Sequence, residues 1–191
     1  MTITKRILTS VLLIIMTVTL FSFDLPEGWF KAGSKPKSYE MGVDKGAGQD
    51  GKDVATIKSI DKKIDGFGTL MQTSSPQKYL GQRVRMTGFV KTKDVKETSG
   101  LWFRVDQANS KMFLSFDNMS DRPIKGTTDW KKYEIVLDIP LNASKLAYGA
   151  LLSGTGQIWF ANINFEMVDS TIATTGRFKE NKEPVNLNFE K

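Results

Sequence analysis

The chain contains no cysteine and no histidine. The first absence excludes disulfides, thiolate metal sites, cysteine nucleophiles and the lipid-attachment cysteine of a bacterial lipoprotein. The second excludes Ser-His-Asp hydrolysis, His-ligated zinc and imidazole acid–base chemistry. Any catalysis would have to be built from carboxylates, Lys, Tyr or Ser. Long apolar runs are scarce: beyond the N-terminus no stretch is long enough to span a membrane. Sustained helical periodicity is also missing, so an all-α fold is excluded.

The N-terminus carries Lys5 and Arg6, then an apolar run from Ile7 to Phe21 broken only by Thr and Ser, then Ser22 and polar sequence from Asp24. This is the pattern of a signal peptide over residues 1–22. The run of about 15 residues is shorter than the ~20 of a membrane-spanning helix, so no stable membrane span is expected after cleavage. Phe21 stands where a small residue is expected, which keeps an uncleaved anchor as the alternative. The expected location is secreted or periplasmic. About 169 residues remain, enough for one domain with a sizeable core. Loss of Lys5 and Arg6 lowers the formal charge by two, from +6 to +4. The remaining lysines lie mostly in expected turns and read as solvated, and nucleic acid is not an expected partner of an exported chain.

From Asp53 onward, short β-type runs alternate with turns rich in Gly, Pro, Asn, Asp and Lys. Strands are expected at 54–60, 68–72, 83–91, 101–106, 112–117, 133–139, 146–152 and 158–168. About eight such strands predict a two-sheet antiparallel β-sandwich of the jelly-roll kind, spanning residues 23–168. A single helical turn is expected at 75–80, with Pro76 behind a Ser75 cap. Residues 31–52 read as a long loop, and 169–191 as a tail or linker.

The most informative segment is Leu101 to Asp106, L-W-F-R-V-D. A two-residue period puts Leu101, Phe103 and Val105 on one face and Trp102, Arg104 and Asp106 on the other. An indole beside a guanidinium and a carboxylate can stack on a flat apolar ligand face while hydrogen-bonding its hydroxyls, which describes a sugar site. Gln72, Arg85 and Asp117 from neighbouring strands are expected to extend that face. The alternative is that Trp102 is covered and Arg104 simply pairs with Asp106. A second option places ligand binding in the end loops, with Trp29, Tyr39 and Trp130 as candidates, although Trp130 also suits a plug at the end of the sandwich. Trp159, beside two apolar neighbours, reads as core or site. Residues 117–129, D-N-M-S-D-R-P-I-K-G-T-T-D, read as a long turn held by Asx hydrogen bonds and an Arg122 ion pair.

The succession G-F-G-T-L-M-Q (66–72), Y-L-G-Q-R-V-R-M-T-G-F-V-K-T (79–92), G-L-W-F-R-V-D (100–106), F-D-N-M-S-D-R-P-I-K-G-T-T-D-W-K-K-Y (116–133) and L-L-S-G-T-G-Q-I-W-F (151–160) resembles a bacterial jelly-roll module found beside AraC-type regulators and secreted hydrolases, a relative of carbohydrate-binding modules. The resemblance covers roughly residues 27–168. It implies the fold and, more weakly, binding of a carbohydrate or cell-envelope glycan. Modules of this kind often hold a structural calcium on acidic residues of the first and last strands. Here the last strand reads Trp159-Phe160-Ala161-Asn162, so the acidic pair is missing; Asp24 and the Asn162 carbonyl are the oxygen donors left, and no cofactor is expected. The segment 184–190, P-V-N-L-N-F-E, resembles the opening strand of a following repeat or reads as a tail strand. No strand carries the paired carboxylates of a glycosidase, and Glu134 and Asp138, four apart, read as solvent-facing. The sequence therefore predicts a non-catalytic binding module, with an extracellular protein-interaction module or an orphaned accessory domain as the alternatives.

Overall fold

The computed structural model describes residues 23–176 and 187–188. Its strands are β1 (Phe30–Gly33), β2 (Tyr39–Asp44), β3 (Val54–Ser59), β4 (Phe67–Ser74), β5 (Gln82–Gln107), β6 (Phe113–Asp117), β7 (Ile124–Ile139), β8 (Ala143–Ser153) and β9 (Gln157–Val168). Every pairing between them is antiparallel.

One strand organises the molecule. β5 runs for 26 residues. Its first half pairs with β7 on one side and β9 on the other, and its second half pairs with β8 and β6. The result is two five-stranded layers, β2-β3-β9-β5-β7 and β1-β4-β8-β5-β6, joined because β5 belongs to both. The two strands expected at 83–91 and 101–106 are thus halves of one bent ribbon. The bend lies between Val90 and Ser99, where the register with β7 slips three times and Asp94 takes a φ of 53°. Hydroxyls replace part of the interrupted ladder there: the Thr92 hydroxyl bonds Gly126 O and Thr128 Oγ1, and Ser99 Oγ donates to Ile124 O. Such bulges let a strand turn without stranding its polar groups.

The sandwich core lies between the layers. Val84, Met86 and Val90 from the first half of β5 meet Leu101, Phe103 and Val105 from its second half, together with Ile57, Leu70, Ile135, Leu146, Leu152 and Phe160. The jelly-roll expectation holds. One expectation about the connections does not. Residues 31–52 contain most of β1 and all of β2, because Tyr39 and Met41 alternate into the core while Glu40 faces out and Gly42 is covered by Phe23 and Asp24, a period obscured in sequence by the surrounding Gly and Lys. Residues 169–176 add no strand, and they hydrogen-bond back to the sandwich: Arg83 Nη1 donates to the carbonyls of Ser170 and Ile172, and Thr175 N donates to Val136 O. The turn at 75–80 is a 3-10 turn at Gln77–Tyr79, with Gln77 N donating to Ser75 Oγ at 3.3 Å. Residues 1–22 and most of 177–191 lie outside the described residues, and with them the signal-peptide reading and the strand-like segment 184–190.

Candidate functional site

Trp102, Arg104 and Asp106 do share the outer face of the second layer, directly opposite Gly149, Ala147 and Lys145 of β8. Their chemistry differs from that of a stacking platform. Trp102 is only 6 % exposed and packs with Met71, Ala147, Phe116 and Leu151. Its Nε1 donates at 2.8 Å to the Thr69 hydroxyl, which in turn donates to Ala150 O at 2.7 Å. Arg104 grips Asp106 through two bonds of 2.7 and 3.1 Å. The indole is covered by side chains of adjacent strands, and the guanidinium and carboxylate satisfy each other, so the alternative reading of this segment is the one that holds.

The three residues expected to extend this face lie elsewhere. Asp117 sits opposite Phe103 and therefore turns to the core side, where it is 4 % exposed; Phe116, opposite Arg104, takes the outer position instead. The Asp117 carboxylate accepts from Met119 N at 2.7 Å and from Arg122 Nη2 at 2.7 Å, the Asx turn and ion pair expected for that loop. Burial works against the Arg122 charge, but the bonds and charges of Asp117 and Asp121 outweigh it and raise the guanidinium pKa. Arg85 precedes the bend in β5 and so lies on the outer face of the first layer, 3.6 Å from Glu134 and 3.3 Å from Glu166. Gln72 shares the inward face of β4 with Leu70, opposite Tyr148. The six residues do not form one site.

Gln72 instead reaches a cleft between the two layers, a cavity of about 500 Å³ open to solvent. Its walls come from the inner faces of both layers: Tyr148 from one, Phe160, Ile163 and Phe165 from the other, with Trp29 from the segment before β1. The rings pack edge to face, Trp29 on Tyr148 at 6.2 Å and Tyr148 on Phe165 at 4.7 Å between centroids. Trp29 and Phe165 remain part-exposed. Tyr148 donates its hydroxyl to Gln72 Oε1 at 2.7 Å, which leaves the Gln72 amide nitrogen available to a ligand. Asp53 and Asn162 supply polar groups at the rim.

Two backbone features border this cleft. Gly28, at φ +75°, lies against the Gln72 amide so closely that a Cβ would meet Nε2 at 2.6 Å. Asn162 adopts φ 54° where β9 slips register against β5, beside Gly88, which pairs with Tyr133 of β7 but has no register partner on β9. That bulge turns Asn162 toward the cleft and breaks the alternation of β9.

Protein comparisons follow the same outline. No protein-family model matches the chain. Among solved structures it resembles a xylan-binding domain of Paenibacillus barcinonensis (TM-score 0.52, 15% identity, 78% of this chain and 92% of that one) and a Stig cyclase of Fischerella sp. TAU in complex with a pyrrolidinylidene-indole (TM-score 0.55, 14% identity, 76% and 87%). A family 16 carbohydrate-binding module aligns with a TM-score of 0.51 at 10% identity over 70% of this chain and 92% of that one. The fold is the jelly roll of carbohydrate-binding modules. A curated relative from Bacillus subtilis (strain 168), described as an uncharacterized HTH-type transcriptional regulator, is 44% identical over 168 residues. That match takes in 86% of this chain and 57% of the relative, so the chain spans little more than half of that protein's length.

Within this jelly roll, the loop option fares unevenly. Trp29 lines the cleft. Tyr39 is structural: it is 3 % exposed, its hydroxyl donates to the Gly66 and Gly154 carbonyls, and burial, with a smaller contribution from Glu97, pushes its pKa up to about 12. Trp130 and Trp159 both lie on the outer face of the first layer, Trp130 beside Phe89 and Trp159 donating from Nε1 to Asp44 Oδ2 at 2.7 Å. Asp24 is exposed, with Lys45 3.9 Å away, and the described residues contain no group of three acidic side chains arranged for a metal ion. Tyr148 and Phe165 escaped the sequence reading because their strands look like ordinary core. The one available signal was Gln72 itself, a polar residue at an inward position of a strand.

Proposed function

We propose that this chain is a non-catalytic binding module of an exported protein that takes a carbohydrate, or a ligand of similar polarity, in the cleft between its two layers. The observation that carries this reading is the pairing of a part-exposed indole, Trp29, with the Gln72 amide, oriented by the Tyr148 hydroxyl, inside a recess of ligand size. A sugar ring offers apolar C–H faces to the aromatic walls and hydroxyls to the Gln72 amide, Asn162 and Asp53. The cleft lining carries one carboxylate, Asp53, which already accepts from Gly46 N. A glycosidase requires two, so binding without hydrolysis is the better fit. The xylan-binding relative supports the ligand class by analogy of fold, and the N-terminal pattern supports export.

The regulator relative favours a second reading, in which a module of this kind reads the presence of its ligand for an attached regulatory domain. Both readings use the same cleft. The test is calorimetric titration of the protein with a panel of soluble glycans, repeated with Trp29→Ala and Gln72→Ala. Saturable binding that weakens at least tenfold in both folded variants is expected. Undiminished binding in both would overturn the cleft assignment, and no binding to any glycan would overturn the ligand class.

A further inference from the structure

The outer face of the second layer is unusual for a sheet surface. Position by position it presents Phe30 and Ala32 from β1, Phe67, Thr69 and Met71 from β4, Leu151 from β8, Trp102 from β5 and Phe116 from β6. A solvated sheet face normally alternates to polar residues. Here an apolar strip crosses all five strands, interrupted by Thr69 and bordered by Thr98, Asn118 and Ser153, and Phe30 and Phe67 are 43 % and 39 % exposed. It is also recessed: a hollow of about 400 Å³ lies over Trp102, Met71 and Leu151. Arg104 stands at one end of that hollow and also lines an adjoining one of about 220 Å³ with Asp106, Lys111 and Lys145. The lining of the second hollow carries three cations and one carboxylate. Asp106 engages Arg104 Nε and Nη2 and lies 3.6 Å from Lys145 Nζ, which leaves two positive charges in excess.

We propose that this bipartite groove is a second ligand site, distinct from the inter-layer cleft, for an amphipathic anion whose apolar body lies over Trp102 and whose carboxylate or phosphate head lies among Arg104, Lys111 and Lys145. Charge complementarity selects the occupant: an uncharged amphiphile would leave the cationic end uncompensated, and a free anion would leave the apolar hollow wet. The depth favours a small molecule over a flat protein partner. Arg104, whose guanidinium carbon lies 5.9 Å from the Trp102 ring, joins the two halves.

The test is titration of the protein with monomeric octanoate, decanoate and decyl phosphate, with decanol as the uncharged probe. One-to-one binding is expected, tightening about fourfold per added methylene, as burial of each such group implies, and at least tenfold weaker for decanol. Lys111→Glu/Lys145→Glu, at exposed positions, should weaken decanoate and decyl phosphate by at least tenfold while leaving decanol unchanged. Leu151→Glu should abolish binding of all four, and if that variant melts early, Phe67→Ser at a more exposed wall position should weaken decanoate at least threefold. A difference between decanoate and decyl phosphate identifies the preferred head. Equal affinity for decanol and decanoate, or insensitivity to both the charge and the wall variants, overturns the proposal. Trp29→Ala should leave decanoate binding intact. Loss there would put the amphiphile in the inter-layer cleft instead, so failure of this proposal is separable from failure of the glycan reading.

Discussion

Replacing Trp102 with alanine separates a structural indole from a ligand-stacking one. The side chain is 6 % exposed and packs against Met71, Ala147, Phe116 and Leu151. Removing a buried Trp typically costs about 3–5 kcal/mol. The vacated space here would open into the existing hollow on the outer face and fill with water, which places the expected loss at the lower end, about 3 kcal/mol. For a domain of this size that corresponds to a fall in Tm of roughly 6–12 °C. Trp102→Phe keeps most of the apolar contact and removes only the bond to Thr69, whose hydroxyl retains Ala150 O as acceptor, so about 1 kcal/mol is expected. Both variants are to be measured by urea and thermal denaturation followed by circular dichroism, then titrated with glycan under conditions where they are folded. Wild-type glycan affinity should persist in both. A Trp102→Ala protein within 1 kcal/mol of wild type, or one of normal stability that has lost glycan binding, would refute the assignment of this indole to packing.

Asp117→Ala leaves Arg122 part-buried without its main partner and strips Met119 N–H of its acceptor; a loss of about 3 kcal/mol in chemical denaturation is expected, against less than 1 kcal/mol for exposed Asp129→Ala. Tyr39 has a folded pKa raised to about 12 from 10, so its contribution is fully present below pH 10 and is lost as pH rises through 12. The stability of wild type should therefore fall by about 2–3 kcal/mol over that window, and Tyr39→Phe should flatten this part of the profile; equal slopes for the two proteins would contradict it. Gly149→Ala should destabilise by 2 kcal/mol or more, because its Cβ would lie 2.2 Å from Leu70 O in the β4–β8 ladder, whereas Gly126→Ala meets no neighbouring atom and is limited to the strain of its positive φ. Parallel thermal melts of the two glycine variants check the ranking.

The sheet-forming pattern was legible because alternation survives wherever one face is buried: Leu101, Phe103 and Val105 read as core from their spacing and are core. The bend in β5 was not legible. Nothing local distinguishes a strand that ends at Lys91 from one that turns and continues, since the slips at Thr92, Val95 and Ser99 are defined by the partner strand. That single omission scattered the expected site. Arg85 and Trp102 both point outward from the same strand, but on opposite sides of a sandwich, because the strand changes layer between them. Asp117 was misplaced for a related reason. Its own segment alternates correctly, and only the pairing with Phe103 decides which set of residues faces the core. Period tells which residues go together, and register tells where they go.

The two recesses of this protein differ in how they coexist with a packed sandwich. Protein interiors leave few voids larger than a water molecule, so a solvent-open cleft of about 500 Å³ between two layers is a departure from close packing. Two backbone features border it: Gly28, where any side chain would strike Gln72, and the Asn162 bulge, where β9 gives up its alternation beside Gly88. Filling the cleft with another leucine would have been the default of a sequence selected for stability alone. The chain instead places there an amide held by the Tyr148 hydroxyl and an indole that is only part-covered. The groove over Trp102 needs no such device. It lies on an outer face, where leaving apolar side chains uncovered costs only their hydration, and each contact that seals the indole edge also rigidifies the floor. A ligand in the cleft would bridge both layers and resist their separation, and one in the groove would touch only the second layer. Glycan binding should accordingly raise the unfolding midpoint in proportion to its affinity and protect amides of both β4 and β9 from hydrogen exchange, while decanoate should protect β4, β6 and β8 and leave β9 unchanged. Protection of β9 by decanoate at a concentration that saturates a single site would contradict the separation of the two sites.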